Sequence, residues 1–279
     1  MVTVVFGPGG NVGRHVAASL TSAGVPVRLV SRNPEQATLP ARADVVRADL
    51  DQPETLPGAL DGARNVFLYA RPARIDDFVA AAESAGVRHV VLLSSAAVLN
   101  GDPMSSPIAA MHAVVESALK KSSLAWTFLR PGMFATNALA WWRDSIREEG
   151  VTRLPYPEAR TAPVHEKDIA ALAVTALTSP GHLGHSYLAL GPESLSLRRQ
   201  VRLIGEAVGR DITVEVTTVD QARAELSRTL PPIAVEGVLA GWQAGTTAPP
   251  QLDTTIEQVT GRPAHTFARW AHDHASDFR

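Results

Sequence analysis

The chain has 279 residues, 45% of them hydrophobic and 19% charged, enough to bury a sizeable core as one large domain or two lobes. A formal net charge of -2 leaves no electrostatic footprint for nucleic acid or an anionic membrane surface, so small or neutral partners are expected. Cysteine is absent, which excludes disulfides, thiolate metal sites and cysteine nucleophiles.

The opening run "VTVVF" carries no basic n-region, long apolar stretch or small-residue cleavage site, and no later run approaches the ~18 apolar residues of a membrane span. A cytoplasmic protein with no membrane partner is expected. In chain order, short apolar runs at residues 2–6, 27–30, 44–47, 66–68, 90–93 and 126–129 read as strands. Between them, residues 12–23, 53–60, 75–85 and 108–121 carry helical periodicity. Runs that are apolar at consecutive positions, such as "HVVLL", suit parallel strands covered on both faces. The fold class is therefore α/β, a Rossmann-type doubly wound parallel sheet. Beyond Arg130 the alternation loosens, and "GHSYLALGP" reads as a late strand returning to the sheet. The expectation is a nucleotide-binding lobe over 1–130, with later returns near 160–190, and a smaller, interleaved substrate lobe over most of 131–279.

The stretch "FGPGGNVGRH" follows the first strand and opens the first helix, with Gly7, Gly10 and Gly13 spaced G-x-x-G-x-x-G. Such a turn needs glycine for tight dihedrals, for close approach of a pyrophosphate, and for packing helix against sheet. The free N–H groups of the helix's first turn then face the anion. No Gly-Lys-Ser/Thr follows, so the loop is not an ATP-type P-loop. At the end of the second strand, "VRLVSRNP" places Ser31 and Arg32 where a carboxylate would accept hydrogen bonds from a ribose 2′-hydroxyl. Arginine suits a 2′-phosphate instead, which points to NADP(H). Asp49, after the third strand, either bonds the adenine amino group or caps the next helix.

These segments together resemble the NmrA-like family of atypical short-chain dehydrogenases/reductases, which holds quinone-reductase-like enzymes, triphenylmethane-reductase-like enzymes and non-catalytic redox sensors. The resemblance rests on "VVFGPGGNVGRHV", "VRLVSRNP", "RADLDQPETL", "AGVRHVVLLSS", "HAVVESALKKSSLAWTFLRPGMFATN", "PVHEKDIAALAVTAL" and "YLALGPESLSL", spanning essentially the whole chain. It departs from the family's usual Thr-Gly-Ala-Thr-Gly opening at Phe6-Gly7-Pro8-Gly9-Gly10, which alters the donors between the glycines. The resemblance implies a dinucleotide held by Gly7, Gly10, Asn11, Val12 and Gly13, with Arg32 on the 2′-phosphate. It further implies cofactor contacts from Asp49 and Leu50 in the third loop, Ala70 and Arg71 in the fourth, Ser94 and Ser95 in the fifth, and Pro131 and Met133 after the sixth strand.

Short-chain dehydrogenases that reduce simple carbonyls use tyrosine and lysine four residues apart on one helix face. Here the tyrosines are Tyr69, Tyr156 and Tyr187, and none stands four residues before a lysine. The corresponding helix carries His112 and Glu116 at that spacing. Either His112 works near the nicotinamide as proton donor or orienter, with Glu116 fixing its tautomer, or the two form a structural pair. Quinones and enones accept hydride without an obligatory strong acid, because the charge delocalises. Phe134, Asn137 and Trp141 suit the wall of a flat, conjugated substrate; core packing accounts for the tryptophan equally. No metal site is expected: His182 and His185 in "GHLGH" lack nearby carboxylates. The leading expectation is an NADP(H)-dependent oxidoreductase delivering hydride to a quinone or enone. A non-turnover NADP(H) sensor and a non-redox enzyme of the same fold stand as alternatives, and monomer and homodimer both stand.

Overall fold

A computed structural model describes residues 2–36 and 43–279. Strands β1 (Val2–Phe6), β2 (Val27–Ser31), β3 (Asp44–Arg47), β4 (Ala63–Tyr69), β5 (His89–Leu93) and β6 (Ala125–Pro131) join a later strand, His185–Ala189, in one seven-stranded sheet. Their order is β3-β2-β1-β4-β5-β6 followed by the late strand, and every neighbouring pair is parallel. This is the doubly wound α/β sheet that the apolar runs imply.

Parallel neighbours need crossovers, and the helices supply them. Helix α1 (Gly13–Ser22) buries Val16, Ala17 and Leu20; α2 (Leu56–Leu60) follows a 3-10 turn over Pro53–Thr55; α3 (Ile75–Ser84) buries Ile75, Phe78 and Ala82. Helix α4 (Pro107–Lys121) starts at Ser106, whose hydroxyl accepts the Ala109 N–H, and buries Val115, Glu116 and Leu119. Because helices cover the sheet, residues 89–92 of β5 are buried consecutively and not at alternate positions. Each such Val or Leu removed from water contributes about 1.5–3 kcal/mol.

The chain winds from β1 to β2 to β3, then restarts at β4 on the other side of β1. The reversal creates a switch point at the carboxyl ends of β1 and β4, the place where open α/β sheets bind ligands.

The chain divides into two compact units. The first comprises Met1–Gly132, Glu166–Ala189 and Thr255–Gly261; the second comprises Met133–His165, Leu190–Thr254 and Arg262–Arg279. In the second unit, α5 (Asn137–Glu149) leads to a strand, Val151–Leu154, that pairs in parallel with Thr213–Val216. A shorter antiparallel pair joins Arg160–Thr161 to Leu195–Ser196. The core of this unit packs Trp141, Trp142 and Trp242, with ring centroids 5.3 to 6.5 Å apart.

Helix α6 spans Glu166–Thr178. Asp168 lies in its first turn, where a carboxylate meets the positive end of the helix dipole.

Candidate functional site

Gly7 ends β1 with φ of +69°, a conformation that a Cβ disfavours. Its N–H donates to the Val30 carbonyl, and its own carbonyl accepts the Gly10 N–H at 3.1 Å. Gly13 passes so close beneath this carbonyl that a Cβ on Gly13 would lie 2.1 Å from the Gly7 oxygen. Two of the three motif glycines are thus fixed by geometry, one by dihedral and one by contact.

The amino end of α1 has no side-chain cap and no acidic residue in its first turn. Arg14 N–H reaches the Gly10 carbonyl, while the N–H groups of Asn11, Val12 and Gly13 have no acceptor among the described residues. Unpaired backbone donors at a helix start fit a pyrophosphate. The Val12 side chain is buried, so its contribution is its backbone.

Tyr69, the last residue of β4, packs under the same loop: a Cβ on Gly7 would lie 3.1 Å from the Tyr69 ring. Burial raises the pKa of its phenol, keeping it protonated. The sequence reading missed this residue, whose role is set by the β1–β4 adjacency.

Beside the ends of β2 and β3, a cleft of about 510 Å³ is lined by Arg32, Asn33, Arg47, Asp49, Gln52 and Thr55. Asp49 does not cap a helix. Its carboxylate accepts the Asp51 N–H at 3.1 Å, its own N–H donates to the Thr55 hydroxyl, and the 3-10 turn that follows has Gln52 at its start. Leu50 points the other way. Its side chain is buried in the core with Leu56 and Leu60, so it cannot offer a side-chain contact to a cofactor. Ala70 is half-buried at the head of the fourth loop. Arg71 grips Asp51 through two nitrogens, and this pairing holds the Asp51 carboxyl below its usual range and raises Arg71.

At the carboxyl ends of β5 and β6, Ser94 is buried and donates its hydroxyl to Glu116 Oε1 at 2.7 Å, so that proton is spent inside the protein. Ser95 accepts the Ala97 N–H and caps a short 3-10 turn. Arg130 binds both oxygens of Glu116, Nε to Oε1 at 2.9 Å and a terminal nitrogen to Oε2 at 2.6 Å. Burial raises the Glu116 pKa, but Arg130 and Ser94 outweigh it and hold the carboxyl below its usual range.

His112 stands one turn before Glu116 on α4, and its Nδ1 is buried without a hydrogen-bond partner. The expectation that Glu116 fixes the His112 tautomer is corrected here, because no hydrogen bond joins the two: His112 Nδ1 has no partner, and the Glu116 carboxylate accepts from Arg130 and Ser94 instead. Burial pushes the His112 pKa down against a smaller opposing pull from Glu116. The imidazole is neutral at about pH 7.

Pro131 is buried at the end of β6, in register with Ala189. In the second unit, the Met133 carbonyl accepts the Val164 N–H at 2.8 Å, and Phe134 bridges Val164. Asn137 is the first residue of α5 and is half-buried. Trp141 belongs to the tryptophan core and is only 8% exposed, so it is packing and not the wall of a substrate site. Among the described residues no three His, Cys, Asp or Glu side chains gather as metal ligands, and no helix is long and apolar enough to cross a membrane.

A family model described as NAD(P)H-binding matches residues 7–180, from the glycine loop through α6. The chain belongs to this NAD(P)H-binding family. Over 99% of its length and 98% of the relative's, it is 39% identical to the (4-alkanoyl-5-oxo-2,5-dihydrofuran-3-yl)methyl phosphate reductase of Streptomyces griseus. It is 33% identical to the NAD(P)H azoreductase of Xenophilus azovorans, covering 100% of this chain and 99% of that one. The fold matches the Escherichia coli NADPH-dependent quinone oxidoreductase solved with NADPH, with a TM-score of 0.82 at 23% identity over 98% of this chain and 99% of the other. The NmrA-like resemblance read from the motifs holds. The protein is an NAD(P)H-dependent oxidoreductase that transfers hydride.

The described residues fit this cofactor: unpaired helix-start donors for a pyrophosphate and a cationic cleft beside the second strand. Once bound, the dinucleotide supplies the hydride. The protein supplies position, a buried ion pair that fixes α4 to β6, and a neutral imidazole.

Proposed function

We propose that this chain is a cytoplasmic NADPH-dependent reductase of small conjugated acceptors, adding hydride to an enone, an unsaturated lactone or a quinone. The observation that carries this reading is the state of α4. No tyrosine stands there, Glu116 is bound by Arg130 and Ser94, and one turn before it stands a half-buried, neutral imidazole whose Nδ1 has no hydrogen-bond partner. Such a group donates its N–H to an acceptor's carbonyl oxygen but is a poor proton source. It therefore suits substrates whose charge delocalises after hydride arrives at carbon. The ring named for the Streptomyces griseus relative has that character: its ring double bond is conjugated to both the 5-oxo and the 4-alkanoyl groups.

In this reading Gly7, Gly10, Asn11, Val12 and Gly13 hold the pyrophosphate, Arg32 the 2′-phosphate, and Asp49 the adenine. Ala70, Arg71, Ser95, Pro131 and Met133 border the cofactor through backbone or side chain. His112 orients the acceptor's oxygen, and Phe134 and Asn137 touch the acceptor. The test is a panel of quinones, enones, acyl butenolides and simple ketones, followed with NADPH and NADH by loss of nicotinamide absorbance. Turnover of the conjugated members with NADPH, and not of simple ketones, supports the reading. Turnover of ketones alone, or tight NADPH binding with no turnover on any acceptor, overturns it, the latter in favour of a sensor.

A further inference from the structure

We propose that Arg47 is the second cation of the 2′-phosphate seat and acts with Arg32 to select NADPH over NADH. The inference rests on the NADPH reading above and adds a residue to it.

Strands β2 and β3 pair in parallel with Ser31 opposite Arg47. Arg32, one step beyond Ser31, and Arg47 therefore leave the carboxyl ends of adjacent strands side by side, and both line the 510 Å³ cleft with Asn33. Their pairing is unlike that of neighbouring arginines. Arg28, also on β2, is paired with Asp44 at 2.8 Å, and Arg71 is paired with Asp51. Neither Arg32 nor Arg47 is paired with a carboxylate among the described residues. The one acid lining the cleft among the described residues, Asp49, accepts the Asp51 N–H and forms no ion pair with either arginine, and the nearby Asp51 is committed to Arg71.

Two guanidinium groups facing one cleft, neither of them in an ion pair, repel each other, and an anion seated between them relieves that repulsion. A phosphate monoester carries about -1.5 to -2 charges near pH 7 and three acceptor oxygens. One arginine would leave that charge partly uncompensated; two match it, and each offers a planar fork suited to phosphate oxygens. A ribose 2′-hydroxyl, having no charge, gains little from either. An exposed arginine on the edge strand β3 also deters pairing with another chain, but that role depends on charge alone and is indifferent to the cofactor.

The experiment uses the full-length protein and titrates NADPH, NADH, 2′,5′-ADP and 5′-AMP into wild type, Arg47→Gln, Arg47→Lys and Arg32→Gln at two salt concentrations. Arg47→Gln should weaken NADPH and 2′,5′-ADP on the order of tenfold, while NADH and 5′-AMP stay within about twofold. Arg47→Lys, which keeps the charge and loses the fork, should fall between. The salt dependence of NADPH binding should lessen in Arg47→Gln. Unchanged NADPH affinity in Arg47→Gln, with a loss in Arg32→Gln, overturns the role of Arg47 and leaves the cofactor reading intact. Equal affinity of wild type for NADPH and NADH overturns both. An equal loss for NADPH and NADH in a normally melting Arg47→Gln marks a structural role and also overturns the proposal.

Discussion

Arg130 on β6 and Glu116 on α4 form a two-pronged ion pair, with the Ser94 hydroxyl closing on the same carboxylate. Glu116 is 4% exposed, so removing its charge strands the Arg130 guanidinium in a nearly dry site. Glu116→Gln is expected to lose about 3–5 kcal/mol of stability, as buried pairs do when one partner is removed. Ser94→Ala, which deletes one hydrogen bond, should lose about 1 kcal/mol. Urea denaturation of both variants checks the ranking, and a loss below that of Ser94→Ala for Glu116→Gln would contradict it.

The glycine loop separates positions that look alike in the sequence. A Cβ on Gly13 meets the Gly7 carbonyl at 2.1 Å, whereas a Cβ on Gly9 meets nothing within 4 Å. Gly13→Ala must shift the loop and should abolish detectable NADPH binding and lower the melting temperature. Gly9→Ala should leave both close to wild type, since its neighbourhood is open. Binding titrations alongside thermal melts distinguish the two, and equal behaviour of the variants would contradict the packing described.

At the opposite end of the sheet, His89 at the start of β5 meets the Thr127 hydroxyl at 2.8 Å. That hydroxyl donates to the His182 carbonyl, so it accepts from His89 Nε2–H. Burial, helped by His182, lowers the His89 pKa from 6.5 to about 4. A lowered folded pKa means the unfolded chain binds the proton first, so stability is fully present above about 6.5 and falls as pH drops towards about 4. The loss is on the order of 3 kcal/mol at most. His89→Gln should flatten this part of the pH–stability curve, as measured by urea midpoints across the window. A His89→Gln variant with an unchanged slope would rule His89 out as its source.

For His112, whose pKa burial also lowers, the expectation concerns activity. A neutral imidazole does not need to be protonated to orient an acceptor, so kcat should stay level as pH rises from about 6.5 to about 8. His112→Ala should lower kcat about tenfold or more while leaving the NADPH Kd near wild type. A kcat that falls with rising pH through this range, and loses that fall in His112→Ala, would instead make His112 a proton donor.

The strands and the first four helices are legible because consecutive apolar residues and helical periodicity reflect burial on both sheet faces, which is local information. The glycine fingerprint is legible for the same reason, since Gly7, Gly10 and Gly13 meet within a single turn. Tyr69 is not: it reaches the loop only because β4 lies beside β1. Glu116 was paired with His112 because the two are one turn apart, yet its true partners come from the ends of β5 and β6, far away in the chain. Leu50 and Trp141 show the converse limit. An apolar residue next to a motif looks the same in sequence whether it faces a ligand or the core, and both face the core. Arg47 resembles any solvated arginine until the β2–β3 register sets it beside Arg32.

Hydride delivery to carbon is tested most directly with NADPH deuterated at the reacting carbon of its nicotinamide ring and an acyl butenolide or other enone as acceptor. Mass spectrometry and NMR then locate the label in the reduced product. The expected result is one deuterium on the acceptor carbon β to the carbonyl, with the second hydrogen drawn from water. A reduced product without deuterium at that carbon, or label at the carbonyl carbon, would contradict conjugate hydride delivery.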